Sequence, residues 1–229
     1  MDHDIEKYCT VQIERIGRLM KVYTVIDFET TGLDPEKDQV TEIGAIKKAE
    51  DGTNLGKFHT YVKLANGKGP SPYTPHITKE ICDTGMNERI ALDNLFCFAD
   101  GTILIMQYAP FDLSFFNRLP GEQIDKWFDF IDTRTLAKVI EPKESPSLKY
   151  VAERFNIVNP GEHEALSDCF TTWRVFQRMK NKVSPLFDGD LDKWINTVMD
   201  FDIEGRRLRY TPYGARVLLE SDVVKGKAF

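Results

Sequence analysis

Short apolar runs alternate along the chain with turn-forming clusters, and their periods predict strands first and helices afterwards. Residues 21–27 read as a buried strand that ends in a loop at Gly32-Leu33-Asp34-Pro35. Residues 40–48 and 58–64 are strand-like and flank Glu50-Asp51-Gly52-Thr53-Asn54, a strong turn signal, so they predict an antiparallel extension of the first strand. After a loop-forming stretch at residues 66–72, Ala91, Leu95 and Phe98 beside Leu92, Phe96 and Ala99 give helical spacing over residues 87–99. Asp100-Gly101 leads into a strand over residues 102–107. Asp112 then opens a short helix stopping at Pro120-Gly121, and residues 128–132 form a further strand. Ser145-Pro146 is a helix-start signal, and Leu148, Val151, Ala152 and Phe155 form the apolar stripe of that helix. Pro160-Gly161 breaks the chain before a last core helix, whose Ala165, Cys169, Thr172, Phe176 and Met179 recur at steps of 4, 3, 4 and 3. Strands followed by alternating helices and strands define an α/β pattern.

Two segments lie outside that body. Residues 1–19 read as an N-terminal appendage to a domain spanning residues 20–182. Residues 183–229 read as a C-terminal extension packed on or beside it, with an amphipathic helix carrying Leu191, Trp194, Ile195 and Val198. The run Arg206-Arg207-Leu208-Arg209-Tyr210 reads as a solvated edge strand or as a phosphate track.

Chemistry enters where the first strand ends. Asp27 and Glu29 are two apart, and side chains on a strand alternate with period 2, so both carboxylates leave by one face. Paired carboxylates in that arrangement suit hard divalent cations, and the apolar residues before them argue for burial, where unpaired carboxylates are costly. His163 and Asp168 are five apart, which on an ideal helix sets them roughly 140° from each other. His163 is therefore expected on the loop or first turn after Pro160-Gly161, above a site that Asp168 anchors from the helix.

These residues resemble those of the 3′-to-5′ exonucleases of the DEDDh group, the superfamily of polymerase proofreading exonucleases, ribonuclease T and oligoribonuclease. The resemblance is carried by Asp27-Phe28-Glu29-Thr30-Thr31-Gly32-Leu33, by Ala109-Pro110-Phe111-Asp112-Leu113-Ser114-Phe115-Phe116 and by His163-Glu164-Ala165-Leu166-Ser167-Asp168. Two further segments, Asp132-Thr133-Arg134-Thr135-Leu136-Ala137 and residues 147–155, also look like family segments. The likeness covers about residues 20 to 180. Five positions in the right order are far more specific than an isolated Asp-x-Glu.

The resemblance implies a ribonuclease H-like mixed five-stranded sheet flanked by helices. It also implies hydrolysis of single-stranded DNA or RNA with a free 3′ end to nucleoside 5′-monophosphates. Two divalent ions, Mg²⁺ or Mn²⁺, would be held by Asp27, Glu29, Asp112 and Asp168, with His163 as general base. Substrate contacts are expected from Phe28, Thr30, Thr31, Leu33, His76, Tyr108 and Phe111. DNA is favoured because the first motif looks most like the proofreading group; a short-RNA exonuclease and a non-catalytic nucleic-acid or polymerase-binding module are the alternatives. There are two departures, of which the first bears on substrate preference. Gln107-Tyr108 stands where relatives commonly have His-Asn, and His76-Ile77 lacks the glycine of the usual His-Gly-Ile.

Composition changes little in this picture. The chain has 229 residues, 41% of them hydrophobic and 29% charged, enough for one sizeable core. A formal charge of −6 does not exclude a nucleic-acid substrate, because cations offset a carboxylate site and binding needs only a local basic track. No tract is long and apolar enough to cross a bilayer, and residues 1–19 lack the apolar core of a secretory signal, so a cytoplasmic location is expected. Cys9, Cys82, Cys97 and Cys169 are widely spaced with no Cys-x-x-Cys and read as reduced, structural thiols. A polymerase or other replication protein is a possible partner, since no polymerase segment is evident; oligomeric state is left open.

Overall fold

The computed structural model describes residues 20–65, 67–118, 124–182, 191–200, 208 and 210–225, and the backbone alone of 183–186. Five strands form one sheet: β1 (Val22–Thr30), β2 (Val40–Ala49), β3 (Asn54–Tyr61), β4 (Ile103–Met106) and β5 (Phe130–Asp132), in the order β3-β2-β1-β4-β5. The first three pair antiparallel as a meander, and β4 and β5 add in parallel on the other side of β1. This is the expected mixed five-stranded α/β sheet.

The helices are α1 (Lys79–Asp83), α2 (Glu88–Ala99), α3 (Ala109–Phe116), α4 (Ile124–Trp127), α5 (Thr133–Ile140), α6 (Leu148–Arg154) and α7 (Ala165–Leu186). Among the described residues none is long and apolar enough to cross a membrane. Alternation along β1 divides the core. Tyr23 and Val25 face a cluster with Trp173 and Phe176 of α7, while Ile26 and Phe28 face a second cluster with Leu92 and Leu95 of α2 and Phe115 and Phe116 of α3. The rings of Tyr23, Trp173 and Phe176 meet at centroid separations of 5.5–5.9 Å, tilted contacts that add to the area they bury. By the same parity Asp27 and Glu29 point to the α7 side.

Besides the short helices α1 and α4, which the sequence reading does not contain, four details differ from it. First, β3 begins at Asn54 rather than at residue 58, because Gly52 adopts φ +95° and turns the chain tightly enough for pairing to start at once. Second, α3 begins at Ala109, placing Asp112 in its first turn instead of at its start; the residues expected to stop it, Pro120-Gly121, lie outside the described residues. Third, Asp132 caps an unforeseen helix, α5, by accepting from Arg134 N–H at 3.1 Å. Fourth, the helix expected around Leu191, Trp194, Ile195 and Val198 is a 3₁₀ turn, Leu191–Trp194, followed by strand β6 (Thr197–Asp200). Asn196 ends the turn at φ +54° and docks on the sheet edge, its Oδ1 accepting from Phe130 N–H and its own N–H reaching Phe130 O.

Beyond it, β7 (Arg216–Leu219) pairs in parallel with β6 and is followed by α8 (Glu220–Val224). Trp194, Met199, Leu218 and Val223 are buried in the α7-side cluster. Residues 1–19 and Arg206, Arg207 and Arg209 of the basic run lie outside the described residues. Cys82 and Cys169 are buried free thiols; Cys97 is exposed.

Candidate active site

The site forms where β1 runs past the end of β4. Strand β4 pairs only with Tyr23, Thr24 and Val25, leaving the later part of β1 open on that side. Helix α3 closes this edge and carries Asp112 in its first turn, where negative charge is favourable, yet burial holds that carboxyl well above the usual range, the Asp112 and Phe28 N–H groups lowering it only in part. Asp132 at the end of β5 lies near the Ala109 N–H that opens α3. Burial pushes the Asp132 carboxyl up to about 7 despite bonds from Thr135, Arg134 and Ala109.

Asp168 arrives from the opposite direction on α7. Strand β2 lies beneath the helix start at Gly44, the cross-strand partner of Asp27. A Cβ at Gly44 would lie 2.4 Å from the Ala165 carbonyl carbon and 2.5 Å from the Leu166 nitrogen, backbone atoms that cannot swing aside. Only glycine lets the first turn of α7 settle here, and the Cys169 thiol then reaches the Gly44 carbonyl at 3.2 Å. Gly44→Ala is therefore expected to lift that turn, costing roughly 1–3 kcal/mol in overpacking. A fall in Tm accompanied by a fall in turnover checks this; an unchanged Tm would contradict the close approach.

Asp27 and Glu29 are half-buried, Asp112 and Asp168 are 5% and 7% exposed, and the four converge. Burial, followed by repulsion from Asp112, Asp168, Glu29 and Glu42, holds the Asp27 carboxyl well above the usual carboxylate range. Burial and the charges of Asp168, Glu42 and Asp112 raise Glu29 to about 8. Burial also raises Asp168, opposed by hydrogen bonds from the Asn159 amide and the His163 N–H. Among the described residues no lysine or arginine forms an ion pair with any of the four.

His163 sits on the loop before α7, exposed, with φ +66°. One ligand atom each from Glu29, His163 and Asp168 lie within 4.8 Å of one another. A crowd of hard oxygen donors that repel one another, with an imidazole at its rim, fits a divalent cation of the oxygen-preferring kind.

The residues expected to contact substrate have varied surroundings. Leu33 is 71% exposed on the loop after β1. Thr30 donates to Gly32 O and Thr31 to Asp38 Oδ1, bonds that shape that loop. The Phe28 ring is buried edge-on against Phe116, and half-buried Phe111 packs on Phe115. Tyr108 lies under the Arg134 guanidinium at 4.5 Å, while Gln107 bridges Thr133 and Pro146 O. His76 Nε2 lies 3.1 Å from Glu42 Oε2.

Glu42 was not anticipated. It stands directly across from Glu29 in the β1–β2 register, a like-charge pairing that is unfavourable by itself. Burial would raise its carboxyl, but hydrogen bonds from His59 at 2.6 Å, His76 at 3.1 Å and the Ala165 N–H at 3.4 Å hold it below the usual range. It thus joins β3, the loop before α1 and the start of α7 beside the carboxylates. A lone charge within the apolar run of β2 was the available signal, as was the isolated Gly44.

A family model described as an exonuclease, RNase_T, matches residues 24–176, taking in all five of these positions. The chain belongs to the RNase_T exonuclease family. Within this family it is 35% identical over 156 residues to the DNA polymerase III subunit epsilon of Rickettsia typhi, covering 63% of this chain and 67% of that one. It is 31% identical over 188 residues to the PolC-type DNA polymerase III of Thermotoga petrophila, covering 76% of this chain but 14% of that polymerase. E. coli Exonuclease I in complex with a dT13 oligonucleotide superimposes with a TM-score of 0.61 at 18% identity, over 73% of this exonuclease and 43% of that chain. Exonuclease X in complex with 5′ overhanging duplex DNA gives 0.54 at 20%, over 69% and 91%. At those identities the two solved structures show a shared fold.

Proposed function

We propose that this exonuclease removes nucleotides one at a time from the 3′ end of single-stranded nucleic acid, DNA in preference to RNA, and releases nucleoside 5′-monophosphates. The observation that carries the reading is the convergence of Asp27, Glu29, Asp112 and Asp168 with His163 at their rim. The four carboxylates would hold two divalent ions, Mg²⁺ or Mn²⁺, which supply Lewis acidity and charge neutralisation at the scissile phosphate. His163 accepts the proton of the attacking water as its oxygen bonds to phosphorus. The P–O3′ bond breaks, and the 3′ oxygen of the shortened strand takes a proton from solvent to leave as a hydroxyl. Leu33, Thr31 and Phe111 border the place for the terminal nucleotide, whose face an apolar surface accepts without sequence choice. Similarity to proteins named DNA polymerase III supports the DNA reading and makes a polymerase or other replication protein the partner of choice.

Digestion of DNA and RNA strands of one sequence, with Mg²⁺ and with excess EDTA, tests this reading. DNA is expected to be cut faster, and chelation to stop both reactions. Faster RNA cutting would transfer the assignment to the short-RNA exonucleases, and undiminished hydrolysis in EDTA would overturn the metal chemistry.

Metal dependence also has a pH signature. Glu29 is raised in the folded protein to about 8, so the metal-free fold binds its proton more tightly than the unfolded chain does. That contribution to stability is present below the unfolded carboxyl value and is lost as pH rises toward 8. Cations bind the deprotonated carboxylates, so the rise in Tm produced by Mn²⁺ should be larger at pH 8 than at pH 5.5. Equal shifts at the two pH values would contradict it.

A further inference from the structure

We propose that Asn159, on the loop between α6 and α7, is a positioning residue that sets both the Asp168 carboxylate and the height of His163 above the site. The orientation of its amide is determined by its surroundings. Its Oδ1 accepts from the Gly161 backbone N–H at 3.4 Å and lies 3.0 Å from Ser167 Oγ. A backbone N–H can only donate, so the oxygen must face Gly161, and the NH₂ group is left facing Asp168, where Nδ2 donates to Oδ1 at 2.5 Å. The other carboxylate oxygen, Oδ2, accepts the backbone N–H of His163 at 3.0 Å.

The chain of bonds therefore runs from Gly161 and Ser167 through Asn159 to Asp168 and on to His163. Each carboxylate oxygen has a second lone pair, so both bonds leave Asp168 able to take a cation. Without the amide, the carboxylate is free to rotate about its last bond, and the His163 N–H loses a fixed acceptor. The left-handed backbone of His163 then has less to hold it, and the imidazole loses its register with the carboxylates. Partners of this kind around a metal ligand are worth 10- to 100-fold in metal affinity or activity.

The inference rests on the proposed metal chemistry for its kinetic part, so the test begins on metal-free protein. Amide exchange at His163, followed by NMR, should quicken by roughly tenfold or more in Asn159→Ala, the equivalent of one hydrogen bond to a charged group. In the same variant Mn²⁺ affinity by calorimetry should fall roughly 10- to 100-fold, and kcat should fall while KM for the strand holds. Asn159→Asp discriminates a loop role from a positioning role. An aspartate still accepts from Gly161 but turns a charged oxygen, not a donor, toward Asp168. It should therefore lose His163 protection and kcat as Asn159→Ala does. An Asn159→Asp protein with wild-type protection and kcat, or an Asn159→Ala protein with unchanged His163 exchange, overturns the proposal. Failure of the wild type to bind Mn²⁺ would instead count against the metal reading, and the exchange experiment would still decide the role of Asn159.

Discussion

Asp27→Ala is expected to lower turnover on the order of 10⁴-fold or more, as for a group that acts with its neighbours as a unit, while the fold persists. The residue lies at the convergence of the other carboxylates: Asp112, Asp168, Glu29 and Glu42 all push its carboxyl upward, after burial, which pushes most. Its cross-strand neighbour on β2 is Gly44, which has no side chain to lose a partner when Asp27 is shortened. Without metal the variant should melt at a higher temperature than the wild type, since repulsion is relieved; with Mn²⁺ the wild type should gain stability and the variant little. Asp168→Ala should match it in activity but not in loop order, because Asn159 and the His163 N–H both lose their acceptor. Single-turnover rates and melting curves with and without Mn²⁺ check this. Wild-type rates from Asp27→Ala would show that the cluster is not the reacting centre.

His163→Ala should slow the chemical step by roughly 10²- to 10⁴-fold, the usual contribution of a general base. What holds this loop at Asp168 is the backbone N–H of His163, not the ring, so the carboxylate set survives the substitution. Alanine is poorly suited to φ +66°, however, and a rate loss could reflect a disturbed loop. Asparagine tolerates that backbone well, which makes His163→Asn the companion variant. Equal losses in both, with Mn²⁺ affinity largely kept, identify the imidazole as the base. Restoration of the rate by His163→Asn would assign the loss to the backbone instead.

How far the sequence reveals this site depends on whether the signal is local. Asp27 and Glu29 are legible because a strand's period of 2 forces them onto one face and an apolar run precedes them. His163 is legible as a loop residue because helical geometry separates it from Asp168. Glu42 and Asn159 are not, because their roles depend on how the chain folds back: Glu42 draws its partners from His59, His76 and Ala165, and Asn159 meets Asp168 only because the loop before α7 folds over that helix's first turn.

The C-terminal segment departs from its local period for a related reason. Leu191, Trp194, Ile195 and Val198 have helical spacing, yet Asn196 docks on Phe130, and Thr197 to Asp200 find a parallel partner in β7. Pairing across such an intervening stretch leaves no mark in a window the length of a helix, and tertiary contact overrides the local period. Tyr108 shows the limit of motif comparison. The missing asparagine is plain in the sequence, but the stacking of its replacement on Arg134 is visible only in the fold.

The polarity of digestion tests the central claim most directly. Two samples of one single-stranded DNA, labelled at the 5′ end or on the 3′-terminal nucleotide, are digested with Mg²⁺ by the wild type and by Asp27→Ala. The account predicts that the wild type releases the 3′ label as a nucleoside 5′-monophosphate in the first time points. The 5′-labelled strand should meanwhile shorten in single-nucleotide steps, and Asp27→Ala should do neither. Early release of the 5′ label, internal cuts, or equal digestion by Asp27→Ala would contradict it.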